Sequence, residues 1–423
     1  MLSLIFIALI LFPAFSISVV GKDKLSIRDD LFNSDEELSA FDFTMSAPKS
    51  KSSYYDDVEI YLLTGGPGSI VWENFGHSSY LVKRPDGESV TYDYGIFSFD
   101  DSFFINFALG KLYYQAWKSW AEYRVESFIM DDRDVSLLKL ELDRDQKYSL
   151  ISFLEYNARP ENSTYLYDYY YDNCATRLRD SYNAATGGDF KAWAEKIEVD
   201  ETLRTLSERY LSRSTFPVDF AITFLLGPDV DKKITLWDAM FLPEILEDGI
   251  MEYQGNESTS HYESVTRKDT PSAYSFLPRT ILFAFILSIF IVLSHSDKKA
   301  INKLGHALSF LIFGLLSLME LVLAFFMTAS IHSITYFNIN VLIFIPALPL
   351  SALHLAALFG KENEDKIRRI ARISVLALGA MMILKFILSS ILIQRTLPYF
   401  AFMIILTSAE LVKARANSER KEL

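Results

Sequence analysis

Five apolar runs crowd the last third of this chain, at roughly 276–294, 305–328, 338–359, 371–393 and 397–412, separated by short polar loops. Each is close to or somewhat short of the ~20 residues a helix needs to cross a bilayer. They set the first expectation, a five-helix transmembrane domain over 276–412. The residues before them mix charges with aromatics, so the 50% hydrophobic composition is unevenly spread. That contrast argues for a soluble domain followed by a membrane domain. The net charge of −13 gives no support to nucleic-acid binding, which needs a basic surface.

The loops set the expected orientation. Basic residues lie in Ser294–Lys303, Lys361–Arg369 and the tail from Lys413, whereas 329–337 has none and the remaining loop has only Arg395. The positive-inside pattern then puts the tail 413–423 in the cytoplasm and the soluble domain outside. Residues 1–18 agree: an apolar run from Leu2 reads as a signal peptide or signal anchor, although no Lys or Arg precedes it. Whether it is cleaved stays open. Residues 19–57 are charged and Ser-rich and are expected as a disordered lead-in. A domain over 58–252 follows, then a polar linker over 253–275. Glu320 and Lys385 lie inside the second and fourth runs, at similar distances from the inner boundary. Charges there are costly alone, so they are expected to pair, either as a coupling site or as a structural ion pair.

Within 58–252 the reading centres on Cys174, the only cysteine in 423 residues. An aromatic run ends at Asp172-Asn173, both good N-cap residues, and a helix is expected from there to Gly187-Gly188. Cys174 then sits in the first helical turn, where free N–H groups and the dipole favour a thiolate. It is either a working thiol or an inert buried cysteine. Upstream, Val58–Thr64, Phe75–Val82 and Ser89–Phe97 read as strands, the last two joined by a turn at Pro85-Asp86-Gly87. With a two-residue turn His77 shares a face with Tyr94, and Asp93 points away; a loop one residue different reverses this. His77 is either structural or the base that activates the thiol. One Cys and one His make a poor ligand set, and no metal or cofactor is expected.

Phe75-Gly76-His77-Ser78 and Asp172-Asn173-Cys174-Ala175-Thr176-Arg177, in this order, resemble the Lnb family of bacterial lipoprotein N-acyltransferases. They are also similar to the broader permuted papain-like group, in which the His strand precedes the Cys helix. The likeness extends through Tyr61–Gly68, Tyr92–Gly95, Gly110–Leu112, Arg159–Asn162 and Met240–Pro243, and more weakly to His332, Asn338, Asn340 and Pro346. The resemblance implies an α+β fold: a permuted papain-like extracytoplasmic domain followed by the five-helix membrane domain. It also implies a multi-pass protein of the bacterial inner membrane with its catalytic domain on the periplasmic face. His77 would deprotonate Cys174, which would take an acyl chain from a membrane phospholipid as a thioester. The N-terminal amine of a diacylated lipoprotein would then accept it. Asn173 stands at the start of the Cys174 helix. Tyr94, with Asp93 as the alternative, would orient the imidazole, and Arg177 would bind a lipid phosphate or pair structurally. The segment Phe216–Phe241 is the expected apolar groove. Two other readings remain: a secreted papain-like peptidase or amidase acting on cell-wall peptide, and a non-catalytic membrane scaffold.

Overall fold

The computed structural model describes residue 38 and residues 41–214, 216–266 and 276–412 of the 423-residue chain. The expected signal segment 1–18 and the tail 413–423 lie outside the described residues, as do most of the lead-in and residues 267–275 of the linker. The chain divides into two compact units. One takes the chain to Ser214 and again over Lys233–Pro271; the other takes Thr215–Lys232 and everything from Ser272.

The first unit is built on a seven-stranded antiparallel sheet. Its strands are β1 (Glu59–Gly65), β2 (His77–Lys83), β3 (Ser89–Ile96), β4 (Tyr113–Trp120), β5 (Val135–Lys139) and β6 (Thr164–Leu166). A two-stranded ribbon, β7 (Glu198–Val199) with β8 (Ile234–Thr235), stands apart, and β9 (Thr259–Tyr262) completes the main sheet. The order across the sheet is β6-β4-β3-β2-β1-β5-β9. Four helices frame it: α1 (Phe103–Leu109), α2 (Ala121–Met130), α3 (Arg144–Asn157) and α4 (Cys174–Ala185).

Strand alternation sorts the sheet's side chains into two layers. Tyr80, Val82, Val90, Tyr92 and Tyr94 enter a core shared with Leu150, Leu154, Leu178 and Tyr182 from α3 and α4. Leu63 and Leu81 enter a smaller cluster with Phe128 of α2. The Tyr80 hydroxyl donates to the Leu178 carbonyl at 2.7 Å, which ties α4 to β2. α4 stops as its sequence demands: Gly187 and Gly188 take left-handed φ of 77° and 94°, open to glycine at low cost.

Two boundaries differ from expectation. Part of the lead-in is ordered, because its aromatics find partners: Phe41 and Phe43 pack against Phe153, and Tyr55 is buried. Part of the linker is the edge strand β9, held by pairing with β5. A four-residue strand carries too little periodicity to be read from sequence.

In the second unit, four helical segments among the described residues are long and apolar enough to cross a membrane. They are Phe276–His295, Lys299–Ala329, Asn340–Leu358 and Glu364–Ile387. The expected fifth, Leu397–Ala409, has 13 residues and falls short of the ~20 that a span requires. Four spans therefore replace the predicted five. Pro346 divides the third into Asn340–Phe344 and Ala347–Leu358, since its ring and missing N–H interrupt the helical ladder.

The helix Val218–Leu225 belongs to this unit although it lies within the predicted soluble domain. Its last carbonyls have no partner within the helix and are buried, so they need donors. The Asn338 side chain supplies one to Phe224 and to Leu226, each at 3.0 Å, and the Asn340 amide reaches Phe224 at 2.9 Å. The predicted groove Phe216–Phe241 is thus divided between the two units.

The predicted Glu320–Lys385 pair does not form. The span bearing Glu320 packs on Ala347–Leu358, whereas the one bearing Lys385 packs on that helix and on Leu397–Ala409. Lys385 Nζ instead donates to the Leu392 carbonyl at 3.2 Å, in the loop that follows its helix, which ends at Ile387.

Candidate functional site

Three elements deliver the site to one end of the sheet. α4 begins at Cys174 because Asn173 caps it: Oδ1 accepts from the Ala175 and Thr176 N–H groups at 2.8 and 2.9 Å. Thr176 Oγ1 accepts from the Asn173 N–H in return, closing a capping box. The Asn173 amide also donates to the carbonyls of Tyr169 and Phe241, at 2.8 and 2.9 Å. With both ends of its side chain committed, Asn173 positions the helix start. His77 is the first residue of β2, and Asp93 lies across the ladder on β3, whose register pairs it with Ser79.

His77 Nε2 lies 2.9 Å from Asp93 Oδ1, which leaves Nδ1 for the thiol. Burial pushes the Cys174 thiol up, but the charge and hydrogen bond of His77 and the N–H groups of Ser78 and Ala175 outweigh it. The thiol ends below its ordinary value. Burial likewise disfavours an imidazolium at His77, yet the charge of Cys174 and the hydrogen bonds to Asp93 and Cys174 hold it above the usual range. The two opposite shifts favour a thiolate–imidazolium pair.

Asp93 is fully buried, and burial raises its pKa. The hydrogen bond from His77 and the charge of Arg124 more than compensate and hold it ionised. Ser79 Oγ donates to the same Oδ1, and Arg124 Nε lies 3.0 Å from it. Asp93 thus fixes the ring and balances its charge.

Glycines let the backbone approach. Gly95 has φ of 83°, which disfavours any side chain, and a Cβ there would lie 3.8 Å from that of Cys174. A Cβ on Gly65 would meet the Phe128 ring at 2.8 Å, and Phe128 packs beside His77 with ring centroids 6.1 Å apart. Arg133 stacks over the Phe128 ring, 4.7 Å from its centroid, and donates through Nε to the Gly66 carbonyl at 2.7 Å.

Of the residues expected to act together, the structure joins Cys174, His77, Asp93 and Asn173. It corrects the assignment of Tyr94, whose hydroxyl turns into the opposite layer, 3.4 Å from Asn157 Oδ1. The cause is one residue of loop. Arg84 N donates to the Glu88 carbonyl, so the hairpin closes on Pro85-Asp86-Gly87 and the parity of β3 inverts. Arg177 makes a bidentate pair with Asp172, at 2.6 and 2.8 Å, beneath the Tyr165 ring. That geometry favours the structural of its two readings. Among the described residues, no group of three or more His, Cys, Asp or Glu is arranged to hold a metal ion. Sequence reasoning missed Ser79, Arg124 and Arg133. Ser79 was accessible, two residues from His77 on its own strand; the arginines are isolated cations that carry no local signal.

A sheet domain with a cysteine at a helix start, joined to a bundle of apolar spans, defines a membrane protein with a mixed sheet-and-helix domain outside the spans. Family comparison narrows this further. The model of the Lnb N-terminal periplasmic domain matches residues 47–209, and that of the Lnb transmembrane domain matches 270–417. The chain belongs to the Lnb family, as a membrane protein with an extracytoplasmic domain. No curated protein matches it. No solved structure matches it either.

Proposed function

We propose that the protein is a lipoprotein N-acyltransferase of the bacterial inner membrane, with a permuted papain-like domain on the periplasmic face. The observation that carries the reading is His77, set between the Cys174 thiol and the buried Asp93 carboxylate. A nucleophile, its base and the group that orients the base are the parts a covalent acyl transfer needs. Membership of the Lnb family supports the choice of substrate.

In this reading the Cys174 thiolate attacks the ester carbonyl of a membrane phospholipid. Backbone N–H groups at the start of α4 stabilise the oxyanion, and the His77 imidazolium protonates the departing lysolipid alkoxide. The result is a thioester on Cys174. The N-terminal amine of a diacylglyceryl-cysteine lipoprotein then attacks it, neutral His77 takes the amine proton, and the thiolate leaves. Asp93 holds the ring in place through both steps, and Asn173 holds the helix that carries the thiol.

The test is the mass of the N-terminal tryptic lipopeptide of a reporter lipoprotein. The host lacks its own N-acyltransferase and expresses either this protein or its Cys174→Ala variant. One extra amide-linked acyl chain that depends on Cys174 is expected. A lipopeptide that gains the amide while losing one ester chain would move the donor from phospholipid to the lipoprotein itself. No change in mass, with the protein confirmed in the membrane, would overturn the reading and favour hydrolysis of a wall peptide.

A further inference from the structure

β3 does not end at the reacting groups. Beyond Asp93 and Gly95 it runs through Ile96 into Phe97 and Phe99, and the chain then forms α1, Phe-Phe-Ile-Asn-Phe-Ala-Leu. A helix with that sequence belongs in a core, yet none of its residues is buried. Phe104, Ile105 and Phe107 are 37, 49 and 41% exposed, and Phe99 is 54% exposed. A second loop joins them: Trp72, 47% exposed, packs on Phe99 with ring centroids 5.8 Å apart, and Ile70 beside it is 40% exposed. Exposed charges, Asp100, Asp101 and Lys111, flank this patch; α1 itself contains none. A contiguous apolar patch with a polar rim marks a surface that water does not normally cover.

The patch is also connected to the thiol. Phe103 stacks on Phe97, Phe97 on Tyr114 at 4.8 Å, and Tyr114 packs on Tyr167 at 4.5 Å. The Tyr167 ring lies 3.6 Å from where a Gly95 Cβ would stand, and Cys174 Cβ is 3.8 Å from the same point. A run of packed aromatic rings thus leads from the exposed patch to Gly95, which adjoins the nucleophile.

We infer that Ile70, Trp72, Phe99, Phe104, Ile105 and Phe107 enter the bilayer, and that lipid acyl chains reach Cys174 along the Phe97–Tyr114–Tyr167 path. The bilayer is the chosen occupant because the same chain carries four helices able to cross it, which keeps lipid at high effective concentration. A short helix bearing aromatics, with charges at its margins, is also the composition that settles at the headgroup boundary. The use of that lipid as acyl donor rests on the acyl-transfer reading; entry of the patch into the bilayer does not.

The experiment uses the full chain in phosphatidylglycerol–phosphatidylethanolamine vesicles containing lipid brominated on the acyl chain. All five tryptophans lie outside the four spans, so intrinsic fluorescence reports on the first unit. The emission that distinguishes wild type from Trp72→Phe belongs to Trp72. Insertion of about 5–10 Å predicts that brominated lipid quenches that component roughly twofold or more. A Phe104→Ser, Ile105→Ser, Phe107→Ser variant should lose this quenching and much of its acyl transfer, while Cys174 alkylation by iodoacetamide keeps the wild-type rate. Unquenched Trp72 in a protein that still transfers acyl chains would overturn the insertion. So would a Trp72 component that shifts only when a lipoprotein is added, which would make the patch a protein-docking surface. Quenching without transfer would keep the insertion and sink the acyltransferase reading, so the two can fail separately.

Discussion

Each unit holds a buried carboxylate coupled to a histidine. In the first unit His77 Nε2 lies 2.9 Å from Asp93 Oδ1; in the second, His354 Nε2 lies 2.9 Å from Glu410 Oε1. Both carboxylates are fully buried. The difference lies at the other ring nitrogen. His77 turns its second nitrogen to a thiol, and its side chain is 17% exposed. His354 is fully buried, and its Nδ1 faces Nδ1 of His306 at 2.8 Å, while His295 Nε2 closes on the far oxygen of Glu410 at 3.2 Å. One couple is open to a reactant, and the other is sealed by histidines. A histidine oriented by a carboxylate therefore does not define a reactive site; the third partner and its access do. The second couple binds span ends together, where an unpaired ionisable group is costly.

That contrast can be broken by experiment. Cys174→Ala or His77→Ala should lower acyl transfer by at least about 10³-fold while leaving thermal unfolding of the detergent-solubilised protein nearly unchanged. Glu410→Leu should do the reverse, removing about 3 kcal/mol of stability by stranding two buried histidines, with the Cys174 alkylation rate unaltered. If Glu410→Leu instead silences the thiol, the two couples are linked and the contrast is wrong. Asp93→Asn should cost on the order of 10²-fold in transfer, since the amide can hold the ring but does not balance its charge.

The pH profile sharpens the point. The Cys174 pKa is lowered and that of His77 raised, so the ion pair occupies the window between them. Iodoacetamide alkylation at pH 6 should exceed that of a free-thiol peptide by roughly tenfold or more. His77→Ala should move the midpoint upward. A midpoint at the ordinary thiol value in the wild-type protein would show that Cys174 is not activated.

Much of the first unit was legible because its signals are local. The positions of β1, β2 and β3 follow from alternation, and the start of α4 follows from Asn173. The choice between Asp93 and Tyr94 was not fixed by those signals, because strand parity turns on a single residue in the hairpin loop. In the second unit, apolar length located the spans but not their partners. Glu320 and Lys385 looked complementary along the sequence, yet their helices pack on a common neighbour, Ala347–Leu358. A buried carboxylate, Glu410, sits at the end of an apolar run, and the two histidines that meet it, His295 and His354, come from other segments, as does His306 behind His354. Only the packed bundle brings them together.

The first unit leaves off at Ser214, resumes at Lys233 and gains its last sheet strand only at Thr259–Tyr262. The two family matches end at 209 and resume at 270, so the excursion and the return both fall between them. Halves of two relatives therefore cannot be exchanged cleanly by one recombination point in that interval. A joint before 215 gives β5 a β9 from another lineage to pair with, and a joint after 262 imports a foreign Val218–Leu225 helix whose carbonyls must find Asn338 and Asn340 in another lineage's bundle. The two halves are expected to be inherited as one piece.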